Sequence, residues 1–300
     1  MTAGQVLVGI SAWTEPTLVK AGTFYPKKTM SAEERLRFYA SQFPVAEVDS
    51  TYYAPPSERN AELWIERTPK DFVFDVKAYA LLTNHPARVE SLYKDVREAL
   101  PKDLAAKRNV YRDKMPGELV DEVWQRFRDA LMPLHSAGKL GAVLFQFPQW
   151  FFPSHESREY LLECQQRLSA LRVAVEFRHA SWLNERNAER TLSFLHEHDL
   201  TFVCVDMPQG FASSMPPAAE ATSRDLAVVR FHGRNTAAWE AKSETAAERF
   251  RYEYSQAELG EWTPRIRSLS SQARETHVVF NNCYRDFATT NARQLASLLE

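Results

Sequence analysis

Glycine is scarce in this chain, with nine among 300 residues. The segments that follow VVRFH (228–232) and VVFNN (278–282) hold no glycine-rich run. A glycine-rich phosphate cradle at those positions is therefore excluded. Cysteine is scarcer still: Cys164, Cys204 and Cys283, none in a CxxC or zinc-type spacing. An odd count argues against a disulfide framework and for a reducing, cytoplasmic setting. No apolar run approaches membrane length, and MTAGQVLVGISAW lacks the charged-then-apolar order of a signal peptide. The net charge is only −2, so nothing pulls the whole chain toward nucleic acid or an acidic surface. The densest basic stretch (Lys107, Arg108, Arg112, Lys114) is offset by Asp103, Asp113 and Glu118 and reads as a solvated face. The expected partner is a small polar or anionic molecule, with no nucleic acid, no membrane and no cofactor.

What the chain does have is eight short apolar runs that end in polar residues. They are IS at 10–11, AEVDS at 46–50, FVFDVK at 72–77, VLFQF at 143–147, VAVEFRH at 173–179, FVCVD at 202–206, VVRFH at 228–232 and VVFNN at 278–282. Side chains two apart on a strand share a face. One face then carries Glu47, Asp49, Asp75, Lys77, Gln146, Glu176, Arg178, Asp206, Arg230, His232 and Asn281 or Asn282. The other carries Val48, Phe74, Val76, Phe145, Phe147, Val175, Phe177, Val205, Val229 and Phe231. A sheet greasy outside and ionised inside predicts a barrel wrapped in helices with a polar site at its mouth.

Helical patterns lie between the runs. Ser31 and Glu34 make a capping-box signature, and Ser255 and Glu258 repeat it before Leu259, Trp262, Ile266 and Leu269 at helical spacing. Strand and helix alternating eight times predicts an α/β fold, a (β/α)8 TIM-type barrel, and such barrels run to about 250 residues as one domain. No composition shift marks a boundary, so residues 1–300 are read as one domain. Long loops are expected after strands three (79–140) and seven (233–254), at the end where barrels build their sites. Residues 208–225 read as loop because Pro208, Pro216 and Pro217 block helix.

Ten segments in series resemble the YecE-like family, also known as domain of unknown function seventy-two. They are VGISAW with FYP, EVDSTYY, W-x-x-RTPKDFVFDVKA, LLTNHP, KLGAVLFQFP, VAVEFRHASW, VCVD, VVRFHGRN, RYEYSQAEL and FNNCYRDFATTNA. The match covers nearly the whole chain in order. The resemblance implies a TIM-type barrel and points to its mouth, and it supplies no substrate. One departure is Asp49, where the resemblance leads to Asn. That makes the site more acidic, or more dependent on a neighbouring Arg or Lys.

Three chemistries fit the ionised face. In the first, Arg178, Arg230 and Lys77 bind a phosphate or carboxylate, and Glu176 and His232 exchange protons. Asp49, Gln146, Asp206, Asn281 and Asn282 orient the ligand, and a helix start near Thr289, Thr290 and Asn291 offers backbone donors. In the second, Glu176, Asp206 and His232 hold a divalent metal with Glu47 and Asp49 across the barrel, although no HxH or HExxH motif is present and Arg178 and Arg230 would repel a cation. In the third, Glu47 and Glu176 flank a glycosidic bond, with aromatics such as Tyr52, Tyr53 and Trp150 available for stacking. A purely structural layer of ion pairs, such as Glu176–Arg230 and Asp75–Lys77, is the bland alternative. His85, on the loop after strand three, is within reach of the mouth but reads first as a solvated loop residue, and Cys283 as a packed thiol or, less simply, a nucleophile. The expectation carried forward is a hydrolase or isomerase of a small phosphorylated or carbohydrate-like compound, catalysed by Glu176 and His232 without metal. A non-catalytic ligand-binding barrel stays open beside it.

Overall fold

The computed structural model describes residues 3–241 and 246–300. Eight parallel strands close on themselves: β1 (Gln5–Ser11), β2 (Val45–Val48), β3 (Val73–Lys77), β4 (Leu140–Gln146), β5 (Val173–Glu176), β6 (Thr201–Asp206), β7 (Leu226–Phe231) and β8 (Glu275–Phe280). Neighbours in the chain are neighbours in the barrel, and β8 pairs with β1 through Gln5–Glu275 to Ile10–Phe280. The strands are buried on both faces, which is why they are short, β-branched and aromatic.

The helix layer consists mainly of α1 (Ala32–Ala40), α2 (Glu58–Glu66), α3 (Gly117–Ser136), α4 (His155–Arg167), α5 (Ala188–Glu197), α6 (Gln256–Gln272) and α7 (Phe287–Leu299). Both expected capping boxes form: Ser31 and Glu34 start α1, and Ser255 and Glu258 start α6. The outward aromatics of the strands fill the space beneath the helices. Phe145 stacks with Trp124 at 6.0 Å, Phe177 with Trp182 at 4.0 Å, and Phe231 lies 5.3 Å from Trp262. From α1, the Tyr39 hydroxyl receives the Ile10 N–H at 2.9 Å and donates to the Val45 carbonyl at 2.8 Å. It thereby pins β1 to β2 where their ladder begins.

The eightfold alternation breaks once among the described residues. Between β6 and β7 no helix forms, and residues 207–225 cover the barrel as irregular chain. The prolines account for this locally, and Thr222 ties the segment down by accepting from Phe202 N–H at 2.7 Å and donating to Leu200 O at 2.7 Å. After β3, residues 78–116 hold short helical turns and a small antiparallel pair, Ala87–Arg88 with Asn109–Val110, before α3 begins. The expected long loop after β7 includes residues 242–245, which lie outside the described residues. Among the described residues no helix is long and apolar enough to cross a membrane.

Candidate functional site

The site grows from the C-terminal ends of the strands. Arg230, on β7, is fully buried inside the barrel. Its Nε and Nη2 donate to Glu47 on β2 at 2.7 and 2.6 Å, and its Nη1 donates to Glu176 on β5. Glu47 and Glu176 are the two acids that the glycosidase reading would need, and one guanidinium bridges both. Burial pushes the Glu47 carboxyl above its ordinary range against the pull of Arg230.

Glu176 collects more partners. Its Oε1 accepts from Arg178 Nε at 2.6 Å and lies 3.1 Å from His232 Nε2. Burial alone would raise its carboxyl, but Arg178, Arg230 and His232 outweigh it and hold it well below the usual range. Arg178 Nη2 reaches Gln146 Oε1 and His232 Nε2, both at 3.2 Å. The other imidazole nitrogen of His232 sits 3.0 Å from the Asn281 amide, whose carbonyl accepts from Ser11 at 2.6 Å. With Asn281 so oriented, its N–H donates to Nδ1, which assigns the imidazole proton to Nε2 and to Glu176. Burial and then the charge of Arg178 push His232 down to about 3, so the ring is neutral at physiological pH.

Two further pairs extend the layer. Lys77 Nζ donates to Asp49 at 2.8 Å and lies 4.6 Å from the centre of the Tyr52 ring. The extra acid at Asp49 thus does depend on a lysine. Deeper in the barrel, Asp75 faces not Lys77 but His277, whose Nδ1 is 3.0 Å from both carboxylate oxygens. Gly141 makes room for them: a Cβ there would lie 2.4 Å from Asp75 Oδ1. Burial would lower the His277 pKa, but Asp75 and Glu275 overcome it and raise it to about 9.

Two of the expected positions differ. Asp206 points out of the barrel, where it accepts from Arg234 at 2.8 Å, Tyr254 at 2.7 Å and Trp262 of α6 at 2.7 Å. FVCVD offers two phases, and both faces of β6 are buried, so its polar end did not reveal its direction. Val205, registered with Arg230, is the inward residue. Asn282 likewise lies in the helix layer, donating to Tyr252 O at 2.8 Å and Asn291 Oδ1 at 2.9 Å, so Asn281 alone joins the cluster. The helix start expected near Thr289 is present, two residues earlier: α7 begins at Phe287, after Asp286, and the Thr289 and Asn291 side chains are buried. An acid at that end disfavours a phosphate.

With Asp206 outside, the metal set does not assemble, and among the described residues no group of three or more His, Cys, Asp or Glu is placed to hold a metal. Cys283 lies 3.4 Å from Ser11 Oγ, and burial pushes its thiol up to about 12, away from nucleophilic use.

Above the cluster opens a cavity of about 470 Å³, lined by Gln146, Arg178, His85, Trp150, Trp239 and Arg249 among others. It falls within the usual size of small-molecule sites. His85 is thus a wall of the mouth, bonded to Thr83 at 2.9 Å, and burial followed by Lys77 and Arg178 pushes it down to about 3. From the loop after β7, Trp239 and Phe250 lie 6.5 and 6.0 Å from His232 and cover it. Sequence alternation missed His277, although stepping back by twos from Asn281 reaches it.

Comparison with known proteins places these residues in context. The family model described as "Protein of unknown function DUF72" matches residues 7–300. The UPF0759 protein YunF of Bacillus subtilis (strain 168) is 32% identical over 299 residues, covering 99% of this chain and 95% of that protein. Crystal structures of DUF72 family proteins superpose over almost the full length. That from Thermotoga maritima MSB8 has 32% identity and a TM-score of 0.75, with 98% of this chain and 99% of that chain covered. One from Enterococcus faecalis V583 has 26% identity and a TM-score of 0.78, with 98% and 95% covered.

Proposed function

This chain belongs to the DUF72 (UPF0759) family, and from its own site we propose that it is an enzyme of a small anionic compound, phosphorylated or carbohydrate-like. The observation that carries the reading is Arg178: it lines the mouth cavity while touching Glu176, His232 and Gln146 beneath. A phosphate or carboxylate entering the cavity meets this guanidinium and that of Arg249, which lines the same cavity. Pairing with the anion cancels part of the charge that keeps His232 neutral, and the imidazole becomes a better proton acceptor. The proton goes to Nδ1, where Asn281 turns its carbonyl to accept it and Ser11 Oγ accepts the displaced amide N–H, while Glu176 keeps the Nε2–H. Such a ligand-gated acid–base pair suits a hydrolase or an isomerase.

A second reading has an observation of its own. Glu176 and His232 are fully buried, and their environment sets both far from neutral pKa values. A barrel that only binds an anion through Arg178 needs no more. Calorimetric titration with inorganic phosphate, sugar phosphates and sugar acids tests both. Under the enzyme reading, Arg178→Gln loses binding, while Glu176→Gln and His232→Asn keep binding and lose turnover. A wild-type protein that binds one of these compounds and never converts it favours the binding barrel, and one that binds none removes both.

A further inference from the structure

Two further cavities lie near the mouth cavity, on one rim of the barrel. A cavity of about 620 Å³ lies beside Tyr52, Tyr53, Pro86 and Asn109, and another of about 320 Å³ beside Asn84, Tyr111, Arg112 and Trp150. Aromatic rings join them to the mouth: Tyr53 to Tyr52 at 5.1 Å, Tyr52 to His85 at 5.3 Å, and His85 to Trp150 at 5.7 Å. Exposure concentrates here. Among the described residues, the exposed large hydrophobics are Tyr53 (62%), Trp150 (50%), Phe152 (49%), Tyr111 (46%) and Leu298 (37%). The four aromatics all follow β2, β3 or β4, whereas Leu298 lies at the end of α7. Solvent-facing rings gathered on one side of a polar mouth leave ring surface available for stacking.

Several cations along this rim are held by neighbours rather than set out in a row. Arg88 pairs with Glu90 at 2.9 Å, and Asp113 with Lys114 at 2.8 Å. Arg112 donates to Asn84 at 3.1 Å and stacks 3.9 Å from the centre of the Tyr160 ring. A single-stranded nucleic acid needs cations that track its backbone beside the stacking rings. A pyranose needs only ring faces for its C–H surface and amides for its hydroxyls, and exposed Asn109 and Gln149 supply the latter.

We infer that the ligand of the mouth is the acidic end unit of a glycan, and that further, uncharged-face sugar units stack along Tyr53, Tyr52 and Trp150. The inference rests on the anion site at Arg178 proposed above. The probes are a free uronic acid as the monomer, oligosaccharides of two to four units in which one terminal uronic acid is followed by neutral sugars, and oligothymidylate as the nucleic-acid control. Titrations followed by tryptophan fluorescence and calorimetry are run on wild type, Tyr53→Ala, Trp150→Ala and Arg178→Gln, with circular dichroism to verify folding. The trimer is expected to bind wild type about tenfold more tightly than the monomer, as one or two ring stacks allow. In Tyr53→Ala and Trp150→Ala the ratio of the two affinities falls toward one, and Arg178→Gln weakens every member. Equal affinity at all lengths, with Arg178-dependent monomer binding retained, overturns the extended site and leaves the mouth site standing. Absence of binding by every member in wild type overturns this inference, and phosphate or sugar-phosphate binding then decides the mouth site separately. Tighter, steeply salt-dependent binding of oligothymidylate overturns it in favour of nucleic acid.

Discussion

Arg230 donates two hydrogen bonds to Glu47 across the barrel, at 2.6 and 2.7 Å, with both residues out of contact with solvent. The same guanidinium holds Glu176, so one cation bridges two buried carboxylates, and Arg178 supplies the second positive charge at Glu176. Such a layer does not need to favour folding, because desolvation offsets much of the attraction. Its consequence is that neither acid can lose Arg230 cheaply.

Arg230→Met leaves Glu47 and Glu176 buried without that partner. The expected loss is about 3–5 kcal/mol of unfolding free energy. Glu47→Gln keeps the shape and leaves Arg230 paired with Glu176, so its loss is smaller. Urea unfolding of both variants checks the order. A midpoint for Arg230→Met equal to wild type would show that the layer is not coupled to folding.

His277 should make stability fall in mild alkali. Its folded pKa, about 9, lies above the unfolded value of 6.5. The folded state therefore binds the proton more tightly, and the contribution is complete below about pH 6.5 and lost as pH rises through 9. A shift of that size corresponds to roughly 3 kcal/mol. Urea midpoints at pH 6.5, 7.5 and 9 should decline in wild type and decline less in His277→Gln. Parallel declines in the two proteins would assign the effect to other groups.

Much of this was readable from alternation. All eight strands appear where the apolar runs lie, because a strand buried between a barrel interior and helices must be apolar along its length. The inner cluster of Glu47, Arg178, Arg230 and His232 followed because charges break that apolarity on one face only. Asp206 did not follow. A buried acid is equally at home wherever donors reach it, and its donors, Arg234, Tyr254 and Trp262, come from segments 28 to 56 residues away. Pairing was similarly hidden: Lys77 chose Asp49 and Asp75 chose His277, choices set by distances across the barrel.

Asp206 should act on the loop after β7 rather than on the ligand. Arg234 and Tyr254 belong to that loop, and Trp262 to the helix that follows it. Asp206→Asn replaces an acceptor of three side-chain donors with one that also presents N–H groups, at an expected cost of about 1–3 kcal/mol. Limited proteolysis should cut between 233 and 254 faster in the variant. Unchanged cleavage together with lost affinity for a mouth ligand would return Asp206 to the site.

The neutral state of His232 offers the most direct view of the site's chemistry. Burial is the largest cause of its depressed pKa, about 3, and the charge of Arg178 is the next. Burial will remain when Arg178 is replaced, but the repulsion will not, so in Arg178→Gln the imidazole should titrate at higher pH than in wild type. An anion bound at Arg178 should act in the same direction without any substitution. Nitrogen NMR of histidine-labelled protein reads both. In the free wild type, His232 should show a protonated Nε2 and a bare Nδ1 throughout pH 5–8. Phosphate or a sugar acid should move its titration upward in wild type and leave it unmoved in Arg178→Gln. A proton found on Nδ1 instead would reverse the Asn281 orientation and make Arg178, rather than Glu176, the partner of Nε2. An imidazole whose titration ignores both the anion and the substitution would separate Arg178 from proton transfer, and leave it as a binding residue only.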